Sequence, residues 1–119
     1  MQTKEKPRII LANAFSLSML PKLPAKILVE ELTIQQVKEL LSQGFESAIG
    51  HEATAKLLSQ LLGIEVPAKR AFITLEPSTT LIVFQLLERL PEGKVLSESE
   101  LKELIQKGKA KFLKVQLVQ

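Results

Sequence analysis

Apolar and polar positions alternate or recur along most of this chain with the periods of strands and helices. Arg8–Ala12 (RIILA) is a short apolar run and predicts a first strand. The polar turn from Asn13 to Ser18 follows, closed by Pro21 and Pro24. Ala25–Glu31 (AKILVEE) predicts a second strand. The next segment carries helix punctuation. Thr33 is the expected N-cap, Gln36 completes a capping box, Leu32 and Val37 fit a hydrophobic staple, and Gly44 stands where a C-cap glycine belongs. Glu52–Leu62 predicts a second helix stopped by Gly63, with Leu57, Leu58, Leu61 and Leu62 as its apolar stripe. Ala71–Leu75 (AFITL) and Thr80–Leu87 (TLIVFQLL) predict two strands joined at Glu76-Pro77-Ser78. The second of them is apolar on both faces, so it belongs in the middle of a sheet. A third helix is expected from about Glu98 to Lys107, with Ser97 and Glu100 as capping box and Leu96 and Leu101 as staple. Ala110–Val118 predicts a last strand. The order is strand, strand, helix, helix, strand, strand, helix, strand. This is an α/β single domain with a mixed sheet of about five strands and about three helices, spanning 8–119 behind a flexible tail at 1–7.

Composition narrows the chemistry. Hydrophobic residues make up 45% of the 119, enough for one core, and no apolar run approaches the ~20 residues that span a bilayer. The expectation is a cytoplasmic protein. Cysteine is absent and His51 is the single histidine, so disulfide scaffolds and Cys or His-cluster metal sites have no ligands. All 13 acids are Glu and no Asp occurs. Two-metal nucleases usually hold their ions with Asp, so neither metal nor cofactor is expected. A net charge of +3 suits a phosphate-bearing ligand and is too weak for a long duplex.

Four places can carry chemistry. Gly50-His51 precedes the second helix, whose N-terminal N–H groups and dipole form a natural phosphate cradle. At 100° per residue His51 falls with Thr54, Leu58 and Leu62, which directs the imidazole toward the sheet. A histidine so placed can serve as a general acid when a phosphate-bearing substrate is present. A buried, hydrogen-bonded histidine without a chemical role is the competing reading, and spacing does not separate the two. Gln85, Arg89 and Glu92 cluster where the central strand runs out; Arg89 can grip phosphate, or can simply pair with Glu92 on a loop. Lys69-Arg70 is a modest basic signal before a strand. Asn13 and Ser16 follow the first strand, as turn formers or as donors to a ribose or adenine edge.

Taken together, Leu11-Ala12-Asn13-Ala14-Phe15-Ser16, Ile49-Gly50-His51-Glu52-x-Thr54 and Gln85-x-x-x-Arg89-Leu90-x-Glu92-Gly93-Lys94 resemble the viral ring-nuclease family. The likeness runs in the same order from Arg8 to Val118. Members are anti-CRISPR proteins, homodimers with a mixed sheet flanked by helices. They degrade cyclic tetra-adenylate, the type III CRISPR second messenger, and so switch off the antiviral response of the prokaryotic host cell. By position, the resemblance implies His51, Arg89 and Glu92 as catalytic residues and Asn13, Ser16, Ser18, Gly50, Arg70 and Gln85 as ligand contacts. Ser18 departs from the family pattern, where Asn often stands. The expected activity is a metal-independent phosphodiesterase, a nuclease that leaves linear di-adenylate with 2′,3′-cyclic phosphate ends. The alternative is a protein that sequesters cyclic oligoadenylate without cutting it. A dimeric protein that binds duplex nucleic acid or another protein is a third reading, disfavoured by the mild charge.

Overall fold

A computed structural model of the protein describes residues 8–87 and 96–118. The expected tail at 1–7 lies outside the described residues. Strands β1 (Arg8–Ala12), β2 (Lys26–Leu32), β3 (Glu46–Ala48), β4 (Thr79–Leu86) and β5 (Ala110–Val118) form one sheet in the order β2-β5-β4-β1-β3. Pairing is parallel for β1 with β3 and β4, and antiparallel for β5 with β2 and β4, so β5 alone runs against the rest. Helices α1 (Ile34–Leu41), α2 (Glu52–Leu62) and α3 (Glu98–Gln106) complete the domain. The apolar-on-both-faces segment is the middle strand β4, as its pattern requires.

Alternation along the strands divides the core in two. Ile9, Leu11, Ile82, Phe84, Ala110 and Phe112 face the helices and meet Val37, Leu41, Leu58, Leu61, Leu62 and Leu101. Ile10, Ala12, Leu81, Val83 and Val115 face the other way and meet Ile73 and Leu75, with Phe15, Met19 and Leu20 at the margin. One face therefore carries helices and the other irregular chain. Both expected capping boxes are present, at Thr33/Gln36 and Ser97/Glu100. Each is worth about 1 kcal/mol. A fully buried leucine such as Leu58 contributes about 1.5–3 kcal/mol. Packing of the stripes therefore outweighs capping in holding the helices to the sheet. Gly63 ends α2 at φ 68, a left-handed conformation that a side chain would oppose.

Two expectations need correction. Ala71–Leu75 is not a strand: the segment crosses the sheet face as irregular chain, burying Ile73 and Leu75, and the Leu75 N–H bonds the Met19 carbonyl at 2.7 Å instead of joining a ladder. The fifth strand is instead β3, three residues long at the sheet edge, which no periodicity announced. Its first residue, Glu46, takes a two-point ion pair from Arg8 of β1. The guanidinium holds the Glu46 carboxyl below its ordinary range, and Glu46 raises Arg8 in turn.

Candidate functional site

Parallel pairing brings the C-terminal ends of β1, β3 and β4 to one edge of the sheet, where ligand sites of α/β folds form. Ala12 pairs with Ala48 on one side and Val83 on the other. Past that row come Asn13 from β1, Ile49-Gly50-His51 from β3, and Gln85 from β4. Residues far apart in the chain thus meet at one edge. Ala12 and Ala48 belong to the core on the face away from the helices, and the edge begins where that core ends.

Arg70 joins them through a stitched loop. The buried Ser47 hydroxyl donates to the Pro67 carbonyl at 2.5 Å and accepts from the Ile49 N–H at 3.4 Å. On α2, the Ser59 hydroxyl donates to the Ala55 carbonyl at 2.8 Å and accepts from the Val66 N–H at 2.8 Å. The Lys69 N–H bonds the Ile49 carbonyl at 2.8 Å. Arg70 is thereby held against Gly50. The place of a Cβ on Gly50 is 3.4 Å from Arg70 Cγ and 3.9 Å from Nε, ordinary van der Waals distances, so the arginine stem lies directly over the glycine. Neither serine was singled out from sequence, because a buried serine in a short polar segment has no distinguishing spacing.

His51 is the N-cap of α2, with extended backbone (φ −117, ψ 124) and no cap bond from its side chain. Its carbonyl accepts the first helical bond, from Ala55 at 2.9 Å. The side chain is exposed, which corrects the expectation that it points toward the sheet. Helical periodicity places Leu58 and Leu62 in the core but does not extend to an N-cap in the β region. An exposed imidazole beside helix N–H groups can meet a phosphate ligand directly.

The remaining candidates divide. Asn13 is half-buried at the bend after β1. Ser16 caps the 3-10 turn Leu17–Met19, and its hydroxyl lies 2.9 Å from that of Ser18. Both serines are exposed, so the turn-forming reading holds for Ser16 while its outer side stays open to a ligand. Gln85 is half-buried, and its Nε2 donates to the Leu86 carbonyl at a long 3.3 Å. Arg89 and Glu92 lie outside the described residues. Among the described residues no group of three or more His, Cys, Asp or Glu is arranged to hold a metal ion. A separate apolar hollow of about 580 Å³ opens at the opposite sheet edge, between Pro21, Pro24, Lys26, Pro77 and Leu117. It has none of the candidate residues.

Other proteins are similar to this chain in sequence and, for a solved structure, in fold. Protein 26 of Sulfolobus islandicus filamentous virus, titled uncharacterized, is 40% identical over 93 residues, covering 77% of this chain and 79% of its own. YddF of Bacillus subtilis, also titled uncharacterized, is 32% identical over 93 residues, covering 76% of this chain and 86% of its own. The solved structure of B116 of Sulfolobus turreted icosahedral virus superposes with a TM-score of 0.79 at 31% identity, over 92% of this chain and 98% of that one. Residues 9–111 match the family described as STIV B116-like. With that match, these identities and the shared five-stranded fold, the chain belongs to the STIV B116-like family.

Proposed function

We propose that the protein is a metal-independent ring nuclease that binds cyclic tetra-adenylate and cleaves it to linear di-adenylate. The observation that carries this reading is the meeting of Asn13, Gly50-His51, Arg70 and Gln85 at one sheet edge, in the positions that the ring-nuclease resemblance assigns to ligand and catalysis. RNA supplies its own nucleophile. The ribose 2′-hydroxyl attacks the adjacent phosphorus, the bond from phosphorus to the 5′-oxygen breaks, and a 2′,3′-cyclic phosphate remains. His51 donates a proton to the departing 5′-oxygen, and Arg89 stabilises the charge that builds on the phosphoryl oxygens. Glu92 orients Arg89 or the imidazole, or takes the 2′-hydroxyl proton. The missing Cys and Asp and the single His favour this metal-free route.

The functional unit in this reading is a homodimer, because a two-fold axis matches a four-fold ring and lets each copy cut one bond. Phe72, two residues beyond Arg70, is fully exposed at 105%, and Leu17 and Leu87 are exposed beside the same strand ends. Such side chains on a small domain favour a second copy as their cover. The substrate would be met in the cytoplasm of a prokaryotic host. Among the described residues no helix is long and apolar enough to cross a membrane.

The test is incubation of the purified protein with cyclic tri-, tetra- and hexa-adenylate in EDTA, followed by separation of the products. The expected result is conversion of the tetra-adenylate ring to di-adenylate with 2′,3′-cyclic phosphate ends. Binding without cleavage would make the protein a sequestering one, and activity that requires Mg²⁺ or Mn²⁺ would overturn the metal-free mechanism.

A further inference from the structure

We propose that Lys111 is a further phosphate-binding residue of this site, held by Glu31 until a phosphate takes the carboxylate's place. The inference rests on the function proposed above and adds to it a cation that no motif of the resemblance includes. Lys111 of β5 is the cross-strand partner of Gln85 of β4. Alternation puts both on the sheet face of Val83 and Val115, away from the helices. Gly50, two residues past Ala48, continues β3 on that face, and Arg70 lies over it. Arg70 and Lys111 therefore flank one row running across β3, β1, β4 and β5. Three strand spacings separate the ends of that row, about 14 Å. Between them on β4 stands Gln85, half-buried and polar.

A ring with four phosphodiesters carries one negative charge on each, so its phosphates point outward in several directions. Arg70 serves one flank only. Lys111 stands at the other, half-exposed with 35% of its side chain open, and its Nζ lies 3.3 Å from Oε1 of Glu31 on β2. Glu31 is the more exposed partner at 64%. Exposed ion pairs are weakly held, so a ring phosphate fixed beside Lys111 by the rest of the site competes with a carboxylate that can turn back to solvent. Glu31 then acts against the ligand twice, by occupying the lysine and by repelling phosphate. Lys114 offers an internal comparison. It pairs with Glu30 at the same 3.3 Å, but on the helix-facing side of the sheet.

Binding of cyclic tetra-adenylate is titrated against salt for the whole protein and for Lys111→Gln, Lys111→Arg, Glu31→Gln and Lys114→Gln, each checked for its melting temperature. Lys111→Gln is expected to weaken binding roughly tenfold, the effect of one charge-assisted phosphate contact. The slope of log affinity against log salt should shrink by roughly 0.7 for each lysine lost. Lys111→Arg should restore both, Glu31→Gln should bind more tightly than wild type, and Lys114→Gln should match wild type. A merely structural ion pair would move Lys111→Gln and Glu31→Gln in the same direction. That result, or unchanged affinity and slope in Lys111→Gln, or an equal loss in Lys114→Gln, overturns the assignment while leaving the proposed function standing. Wild-type protein that does not bind the ring overturns both.

Discussion

His51 carries the sharpest expectation at the scale of single residues. It is exposed and its side chain makes no cap bond, so His51→Ala removes little that stabilises the fold. Cleavage should fall by about 10²–10⁴, the usual contribution of a general acid, while ring binding survives through Arg70 and the helix N–H groups. Single-turnover rates with enzyme in excess, set beside a binding titration, check this; near wild-type cleavage would remove His51 from the mechanism. Glu46 supports a second expectation, concerning pH. Its carboxyl is lowered by the Arg8 hydrogen bond, so the pair stabilises the fold above the ordinary carboxylate range, about 4.3. That stabilisation disappears as pH falls through the lowered folded value. Both side chains are about half exposed, which limits the effect to about 1 kcal/mol or less. Glu46→Gln should be slightly less stable than wild type in denaturant at pH 7 and equal to it at strongly acidic pH. How far single residues could be read from sequence depended on what their positions encode. The place of His51 in the chain followed from Gly50 and the helix start, whereas its exposure depended on N-cap backbone that no periodicity describes. Lys111 was invisible because its neighbourhood is set by the register of β4 with β5.

At the scale of elements, signals that are local were legible and those that need a partner were not. Helix α2 begins and ends where the stripe and Gly63 put it, and both capping boxes form, because cap, box and stripe lie within one or two turns of chain. β3 escaped notice because three residues, Glu46-Ser47-Ala48, are too few to show a period, and its strand character comes from pairing with β1. Ala71–Leu75 misled in the opposite way. Its alternation was real, with Ile73 and Leu75 buried and Thr74 exposed, but alternation reports burial and not ladder hydrogen bonding. This irregular segment should therefore be as important to stability as a strand. Leu75 is fully buried, and Leu75→Ala should cost about 2–5 kcal/mol with little change in strand content. Denaturant midpoints read together with far-ultraviolet circular dichroism test it, and a loss under 1 kcal/mol would show that the segment merely lies on the sheet.

For the whole molecule, the candidate site is an edge assembled from four separate stretches of chain, which explains why each motif alone was weak. Exposed Phe72 ties that edge to the proposed homodimer. Phe72→Glu should yield monomers in scattering measurements and reduce ring cleavage in parallel, while far-ultraviolet circular dichroism stays that of the folded chain, because the ring is fully exposed within its own chain. A variant that stays dimeric would place the interface elsewhere. The strand order has a consequence of its own for how the chain comes together. β2 joins the sheet only through β5, although most of the protein is made between them. During synthesis, β1, β3 and β4 can pair while β2 waits beside them with both of its edges unmatched. Arrival of β5 closes two gaps at once, one to β4 and one to β2. The protein therefore becomes cooperative late, and its newborn form exposes the kind of open strand edge that chaperones recognise and that aggregates grow from.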